Sequence, residues 1–274
     1  MSMVHAATEP RNGAALVTLS EVSKHYPARG SGTPPLVALR PTTAEFRHGE
    51  IVAIVGPSGC GKSTLLSLVS GLERASSGTL MIDGDPLVQP YKDAGIVFQK
   101  DLLLPWRNAL DNVLLQAEVR GISRRSIAAR ALDLLAMVGL KGFERHYPHE
   151  LSGGMRQRVS ICRALLHEPR LLLMDEPFAA LDAITRDQLA LDFQHIVKAD
   201  TRTVVFITHN MDEAVFIGDR VMVMTARPGR IADVIDINIP RPRTIHSRDI
   251  PEFTAYTGRV RDIFMEHGVL KDHT

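Results

Sequence analysis

Three short stretches hold residue types that could do chemistry together. The first runs Gly56-Pro57-Ser58-Gly59-Cys60-Gly61-Lys62-Ser63, followed by Thr64, and matches G-x-x-x-x-G-K-[ST] without a gap. Its glycines let the backbone curl so that successive N–H groups face phosphate oxygens. A helix starting at the end of the loop aims its positive end at the same point. Lys62 supplies a cation for β- and γ-phosphates, and Ser63 a hard hydroxyl oxygen of the kind Mg²⁺ takes. In the second stretch an apolar run ends in Asp175 and Glu176. Asp175 is suited to hold the metal, and Glu176 to orient or deprotonate a water attacking the γ-phosphate. The third, Ser152-Gly153-Gly154, sets a hydroxyl and bare backbone N–H groups before an apparent helix, forming a second anion site. Cys60 reads as a spacer in the loop, although a neighbouring cation is expected to lower its thiol pKa.

The elements that must position these residues follow from hydrophobic periodicity. Residues 50–55 form a β-branched run, the mark of a strand buried on both faces, and enter Gly56 directly. Residues 63–69 read as a helix closed by Gly71. Alternation predicts a strand over 17–24, and apolar runs predict further strands over 171–174, 203–207 and 220–224. Ile127, Ala131, Leu134, Leu135 and Val138 lie on one helix face that stops at Gly139. Leu189, Phe193, Ile196 and Val197 mark another helix, whose start carries Thr185 and Gln188 at capping-box spacing. No strand is expected between residues 102 and 170. The result is an α/β core interrupted by a helical insertion at about 100–168. A flexible leader is expected over 1–14 and a Gly/Pro-rich loop over 27–35. The tail over 241–274 should end in a helix, with Arg241, Arg243 and Arg248 read as a solvated linker.

Composition sets the outer limits. The chain has 274 residues, 45% hydrophobic and 23% charged, with 32 Lys+Arg against 31 Asp+Glu. That suits a soluble globular chain with a sizeable core and no strong basic excess, so no nucleic-acid partner is expected. The longest apolar runs fall far short of the ~20 residues that span a bilayer, and the start shows no secretion signal. Two cysteines cannot build a disulfide framework, which points to a reducing cytoplasm.

Leu151-Ser152-Gly153-Gly154-Met155-Arg156-Gln157 narrows the class, because it resembles the signature motif of the ATP-binding-cassette (ABC) ATPases. Other landmarks of that family stand in order over residues 16–238. They are Tyr26 at the adenine-stacking position, Gln99 in a Q-loop, Asp182 in a D-loop and His209 as a switch histidine, followed by Asn210 where an aspartate is common. The resemblance implies a P-loop NTPase fold with a RecA-like core, an N-terminal antiparallel β subdomain and an α-helical subdomain, within an ATPase domain over 15–240. It implies ATP bound by Tyr26 and residues 56–64, and Mg²⁺ held by Ser63, Gln99 and Asp175. Catalysis would fall to Lys62, Glu176 and His209. Two cassettes would pair head to tail, so that Ser152, Gly153, Gly154, Gln157 and Asp182 touch the ATP of the other chain.

One phosphate loop makes the chain half of a dimer, and too few residues separate Ser63 from Ser152 for long coiled-coil arms. The segment from Gln99 through Pro105-Trp106-Arg107-Asn108 is similar to cassettes of nitrate, sulfonate and taurine importers. So are Thr185-Arg186, Asp212-Glu213-Ala214, Pro228-Gly229 and the Pro-Arg-Pro-Arg stretch ending at Arg243. The resemblance therefore implies a peripheral subunit on the cytoplasmic membrane face. It would serve a separate transmembrane permease and, indirectly, an external solute-binding protein. Leu102, Leu103 and Leu104 suit either packing or permease docking, and Trp106 suits docking. The alternatives are a cassette for export or lipid transport, or a soluble ABC ATPase outside transport. His146 and His149 fall three apart with no third ligand nearby and read as loop histidines.

Overall fold

Of the six residues predicted to form a strand buried on both faces, the last five are buried and form a central strand, while Glu50 stands partly buried before it. The computed structural model describes residues 14–27, 34–198, 202–225 and 228–271. The expected leader, apart from residue 14, and most of the loop over 27–35 lie outside the described residues. In chain order the elements are β1 (Ala15–Tyr26), β2 (Leu36–Arg47), β3 (Ile51–Val55), α1 (Lys62–Val69), β4 (Ser77–Ile82), β5 (Asp85–Pro86) and β6 (Ala94–Val97). Then come α2 (Ala109–Val119), α3 (Arg124–Met137), α4 (Gly153–Leu165), β7 (Leu171–Asp175), α5 (Ala183–Lys198) and β8 (Thr203–Thr208). The chain continues through α6 (Met211–Ile217), β9 (Arg220–Thr225), β10 (Arg230–Asp236) and α7 (Pro251–Glu266).

Two sheets result. An antiparallel sheet has the order β2-β1-β4-β5, and a second has the order β10-β9-β3-β8-β7-β6. The second is parallel from β9 to β6, with β10 antiparallel at its edge. Alternate residues of β3 feed two cores, because successive side chains of a strand point to opposite faces. Ile51, Ala53 and Val55 pack with the helical side, among Leu135, Val159, Phe193, Phe216 and Val260. Val52 and Ile54 pack with Leu65 of α1 and with Val17, Phe46 and Leu80 of the antiparallel sheet.

The expected insertion consists of α2, α3 and α4, with no strand between residues 102 and 170 among the described residues. The predicted face of α3 is the buried one, through Ala131, Leu134 and Leu135 with Val138 just beyond. The left-handed Gly139 ends it, at φ 73°. Asn112 of α2 is fully buried and ties down the segment before its own helix. Its Oδ1 accepts from Leu104 N at 2.7 Å, and its Nδ2 donates to the carbonyls of Leu104, Arg107 and Asn108 at 3.2, 2.9 and 3.0 Å.

Two expectations are corrected. Helix α5 starts ahead of Thr185. Asp182 caps it, accepting from Thr185 N at 3.0 Å and Thr185 Oγ1 at 2.7 Å, so Thr185 is the capped residue rather than the cap. The three arginines after β10 are not a solvated linker. Arg243 is among the largest fully buried side chains, and Arg241 and Arg248 pair with Asp219 and Asp187. The expected terminal helix is α7, and its Phe253, Val260, Ile263 and Phe264 sink into the helical-side core.

Asn112→Leu keeps the shape and deletes four hydrogen bonds, leaving Leu104 N without its partner in a partly buried site. A loss of about 2–4 kcal/mol in chemical denaturation is expected. A change below about 0.5 kcal/mol would contradict this account of the segment.

Candidate active site

Strand register brings the chemistry to one point. Val55 of β3 pairs with Thr208 of β8, and Ile207 of β8 pairs with Asp175 of β7. The next residues along the three strands are Gly56, His209 and Glu176. The carboxyl ends of these parallel strands are therefore level, which is where α/β sheets place ligands. A cleft of about 610 Å³ opens there, lined by Tyr26, Leu36, Val37, Ala38, Ser58, Gly59, Gly61, Lys62, Ser63, Thr64, Gln99, Glu176 and Gly229.

The loop before α1 has no room for other residues at two of its glycines. Gly61 is left-handed at φ 97°, and a Cβ there would lie 2.7 Å from Ala38 O. A Cβ on Gly56 would lie 2.6 Å from Met224 O and 2.8 Å from Cys60 Sγ. The first turn of α1 leaves its N–H groups without partners inside the helix. Lys62 is 4% exposed, and its Nζ donates to the carbonyls of Gly56 and Pro57 at 2.8 and 3.1 Å. The same Nζ lies 3.5 Å from Glu176 Oε1. A cation is thus buried beside a curled backbone, as a polyphosphate site requires.

Glu176 is held from several sides. Its backbone is left-handed at φ 45°, a strained conformation of the kind that gathers at functional sites, and its N–H donates to Ile207 O at 3.0 Å. Oε2 lies 2.9 Å from His209 Nδ1, so the carboxylate bridges Lys62 and His209. Half of the His209 side chain stays exposed. Asn210, the departure from the usual aspartate, still serves as a helix cap. Its Oδ1 accepts from Asp212 N at 2.8 Å and Glu213 N at 3.2 Å, at the start of α6. Beneath it Glu213 is buried, accepts from Thr208 Oγ1 at 2.6 Å and faces Arg186 Nε at 3.4 Å. Burial pushes the Glu213 carboxyl above its ordinary pKa, against the pull of the Thr208 hydroxyl and Arg186.

Ser63 Oγ donates to Asp175 Oδ1 at 3.1 Å. A hydroxyl and a carboxylate this close form a hard-oxygen pair that fits Mg²⁺ chemistry, with Gln99 on the same cleft. Burial raises the Asp175 carboxyl above its ordinary pKa, and Glu176 adds to that, while Ser63 and Lys62 act in the opposite sense. A positive ion would relieve the repulsion between the two adjacent acids.

The signature residues are not among those lining this cleft. Ser152 caps α4, its Oγ accepting from Met155 N at 3.3 Å, and Gly153 is open around its missing Cβ. Gly154 backs onto α5, where a Cβ would lie 2.6 Å from Thr185 Cγ2. Gln157 does not join them at the open end of the helix. Its side chain is buried, and its amide donates to Phe98 O at 3.4 Å. It ties α4 to the loop that carries Gln99. Arg156 Nε pairs with Asp101 at 2.8 Å, and Arg163 donates to Asp101 O and Leu102 O at 2.9 and 2.8 Å. Sequence reading missed these anchors, since an arginine bound to loop carbonyls leaves no spacing signal. It also missed Gly229 on the cleft wall, where a Cβ would lie 2.1 Å from Cys60 O. Asp182 is exposed, and the two bonds from Thr185 hold its carboxyl below the usual range. In the segment after Gln99, Leu103 is buried, Leu102 is exposed and Trp106 is 70% exposed. Tyr26 sits at the end of β1, with Lys24 Nζ 5.0 Å from its ring centroid.

Cys60 fits the spacer reading rather than that of a cation-activated thiol. It is 1% exposed, and burial raises its thiol pKa above the ordinary value, outweighing the pull of Lys62. Alkylation by iodoacetamide at pH about 8 is therefore expected to run at least about tenfold slower on the folded chain than on the unfolded chain. Equal rates would contradict the burial argument.

Comparison with known proteins agrees with this geometry. Residues 39–179 match the ABC transporter family profile. A taurine import ATP-binding protein of Rhizobium johnstonii is 47% identical over 79% of this chain and 84% of its own. An aliphatic sulfonates import ATP-binding protein of Bacillus cereus is 39% identical over 86% of this chain and 92% of its own. A dimeric ATP-binding cassette bound to ADP and phosphate, in a post-hydrolysis state, superposes with TM-score 0.71 at 32% identity, covering 82% of this chain and all of that one. With the phosphate loop, the paired acids and the signature helix arranged as they are, the chain belongs to the ABC transporter family of ATP-binding cassettes.

Proposed function

We propose that this chain is the ATP-hydrolysing subunit of an importer for a small sulfonate-type anion. It would work as a dimer beneath a separate permease that is fed by an external solute-binding protein. The observation that carries the chemistry is the Lys62–Glu176–His209 cluster at the level ends of β3, β7 and β8. The identity with taurine and sulfonate import proteins supports the solute class. No helix among the described residues is long and apolar enough to cross a membrane, which agrees with a permease on another chain.

The proposed roles are as follows. Tyr26 stacks on adenine and residues 56–64 wrap the phosphates. Lys62 exchanges its loop carbonyls for β- and γ-phosphate oxygens. Ser63, Asp175 and Gln99 would hold Mg²⁺, which would supply positive charge against those oxygens. Glu176 accepts the proton of the attacking water, and His209 fixes the carboxylate through Oε2 while its exposed edge reaches the γ-phosphate. Ser152, Gly153, Gly154 and Asp182 face the nucleotide of the second chain. Binding two ATP molecules closes the pair because only the closed state makes those contacts, and hydrolysis removes them. Trp106 meets a loop of the permease.

Glu176→Gln is expected to keep ATP affinity within a few-fold while turnover falls by ~10²–10⁴. Near-normal hydrolysis would remove Glu176 from its role. In cells lacking the native gene, wild type should restore uptake of labelled taurine or a short alkanesulfonate, and Glu176→Gln should not. Uptake that does not depend on the chain, together with a nuclease-sensitive association in pull-downs, would overturn the importer reading.

A further inference from the structure

The Pro-Arg-Pro-Arg stretch has no part in the nucleotide cleft, yet it places one arginine deep inside the protein. Arg243 is 2% exposed. Its Nη1 donates to the carbonyls of Val215, Phe216 and Gly218 at 2.7, 3.1 and 2.8 Å, and its Nε and Nη2 donate to Ile239 O at 3.1 and 2.8 Å. The first three carbonyls are the C-terminal end of α6. That end carries the negative pole of the helix and lacks intrahelical donors. The guanidinium is thus a cap for α6 supplied by a distant part of the chain. Burial lowers its pKa to about 10, so it remains charged at neutral pH.

Neighbouring residues extend the grip. The Arg243 backbone N–H donates to Gln194 Oε1 at 2.7 Å, and Gln194 Nε2 returns a bond to Arg243 O at 3.1 Å, so the segment is also fixed to α5. Arg248 pairs with Asp187 of α5 at 2.7 Å and lies over the Phe216 ring of α6 at 4.8 Å. Arg241 pairs with Asp219 at 2.8 Å, whose other oxygen accepts from Ile51 N at 2.8 Å, where β3 begins. Helix α5 begins at the Asp182 cap, and α6 follows His209 and its Asn210 cap directly.

We propose that residues 241–248 form an arginine clasp that positions α5 and α6 against each other, and through them sets Asp182 and His209 for hydrolysis. The clasp grips the two helices, and the Arg186–Glu213–Thr208 contacts join them beside His209. The hydrogen bonds and ion pairs of the clasp given above run to α5, α6, Asp219 and Ile239 rather than to Tyr26 or the phosphate loop, so it acts on turnover and leaves ATP binding alone. A displacement of about 1 Å at a catalytic group costs on the order of 10²-fold in rate.

This inference rests on the proposed ATPase function, and the test separates the two. ATP affinity, kcat, KM and melting temperature are measured for wild type, Arg248→Gln, Arg248→Lys and Arg243→Lys. Arg248→Gln is expected to lower kcat at least fivefold with ATP affinity and KM within twofold, and Arg248→Lys, which keeps the Asp187 pair, to recover most of it. Arg243→Lys keeps donors for the α6 carbonyls but loses the Nε and Nη2 bonds to Ile239 O, and should lower kcat further. The pair at Arg248 decides the matter even if Arg243→Lys does not fold. Wild-type kcat in a folded Arg248→Gln, or a loss of kcat matched by equal loss of ATP binding, would overturn the clasp. A wild-type chain without ATPase activity would overturn the functional reading instead.

Discussion

The level ends of three parallel strands are the constraint on which the rest depends. Pairing of Val55 with Thr208 and of Asp175 with Ile207 decides that Gly56, His209 and Glu176 leave the sheet side by side. A slip of one residue in β7 would turn its apolar set over and carry Glu176 away from Lys62. The alternating side chains of β3 lock that register, since both faces are filled, one by helices and one by the antiparallel sheet and α1. The Lys62–Glu176–His209 bridge is then a consequence of packing that is far from the cleft.

Around that fixed platform the other parts are attached by side chains rather than by sheet bonds. The Gln99 loop is held to α4 by Gln157, Arg156 and Arg163, so the loop on the nucleotide cleft and the helix capped by Ser152 are one mechanical piece. On the other flank α5 and α6 are joined beside the site through Glu213 and farther away through Gln194 and Arg243. In both places a buried or half-buried guanidinium satisfies loose carbonyls, a use that suits the forked geometry of arginine.

Much of this was legible in the sequence where periodicity or a fixed pattern carried it. The buried run 50–55, the α3 face and the phosphate loop are each written in residue types that permit little else. Helix α2 carries a four-residue rhythm in Ala109, Val113 and Ala117 that the sequence reading passed over, but strands β4 and β6 were not legible, because Ser77–Ile82 and Ala94–Val97 show no clean two-residue rhythm. Their place is set by partners distant in the chain. The buried arginines misled for a related reason. Arg243 and Arg163 look solvated when judged by type, and only the folded chain reveals the carbonyls that receive them. At Cys60 burial, and not the charged neighbour, dominates the thiol, in keeping with its reading as a spacer. Gln157 sits where its position along α4 points it inward, toward Phe98 O, a contact that its place in the motif does not announce.

The proposed function stands on a nucleotide site completed by a second copy of the chain, with Ser152, which does not line the cleft that holds Lys62, supplied by the partner. Light scattering of the Glu176→Gln chain with and without ATP and Mg²⁺ tests this directly, since that variant should hold ATP without consuming it. A doubling of mass on adding ATP, abolished by a second substitution Ser152→Arg, is the predicted result. A mass that does not respond to ATP, or a dimer that tolerates Ser152→Arg, would contradict the shared site.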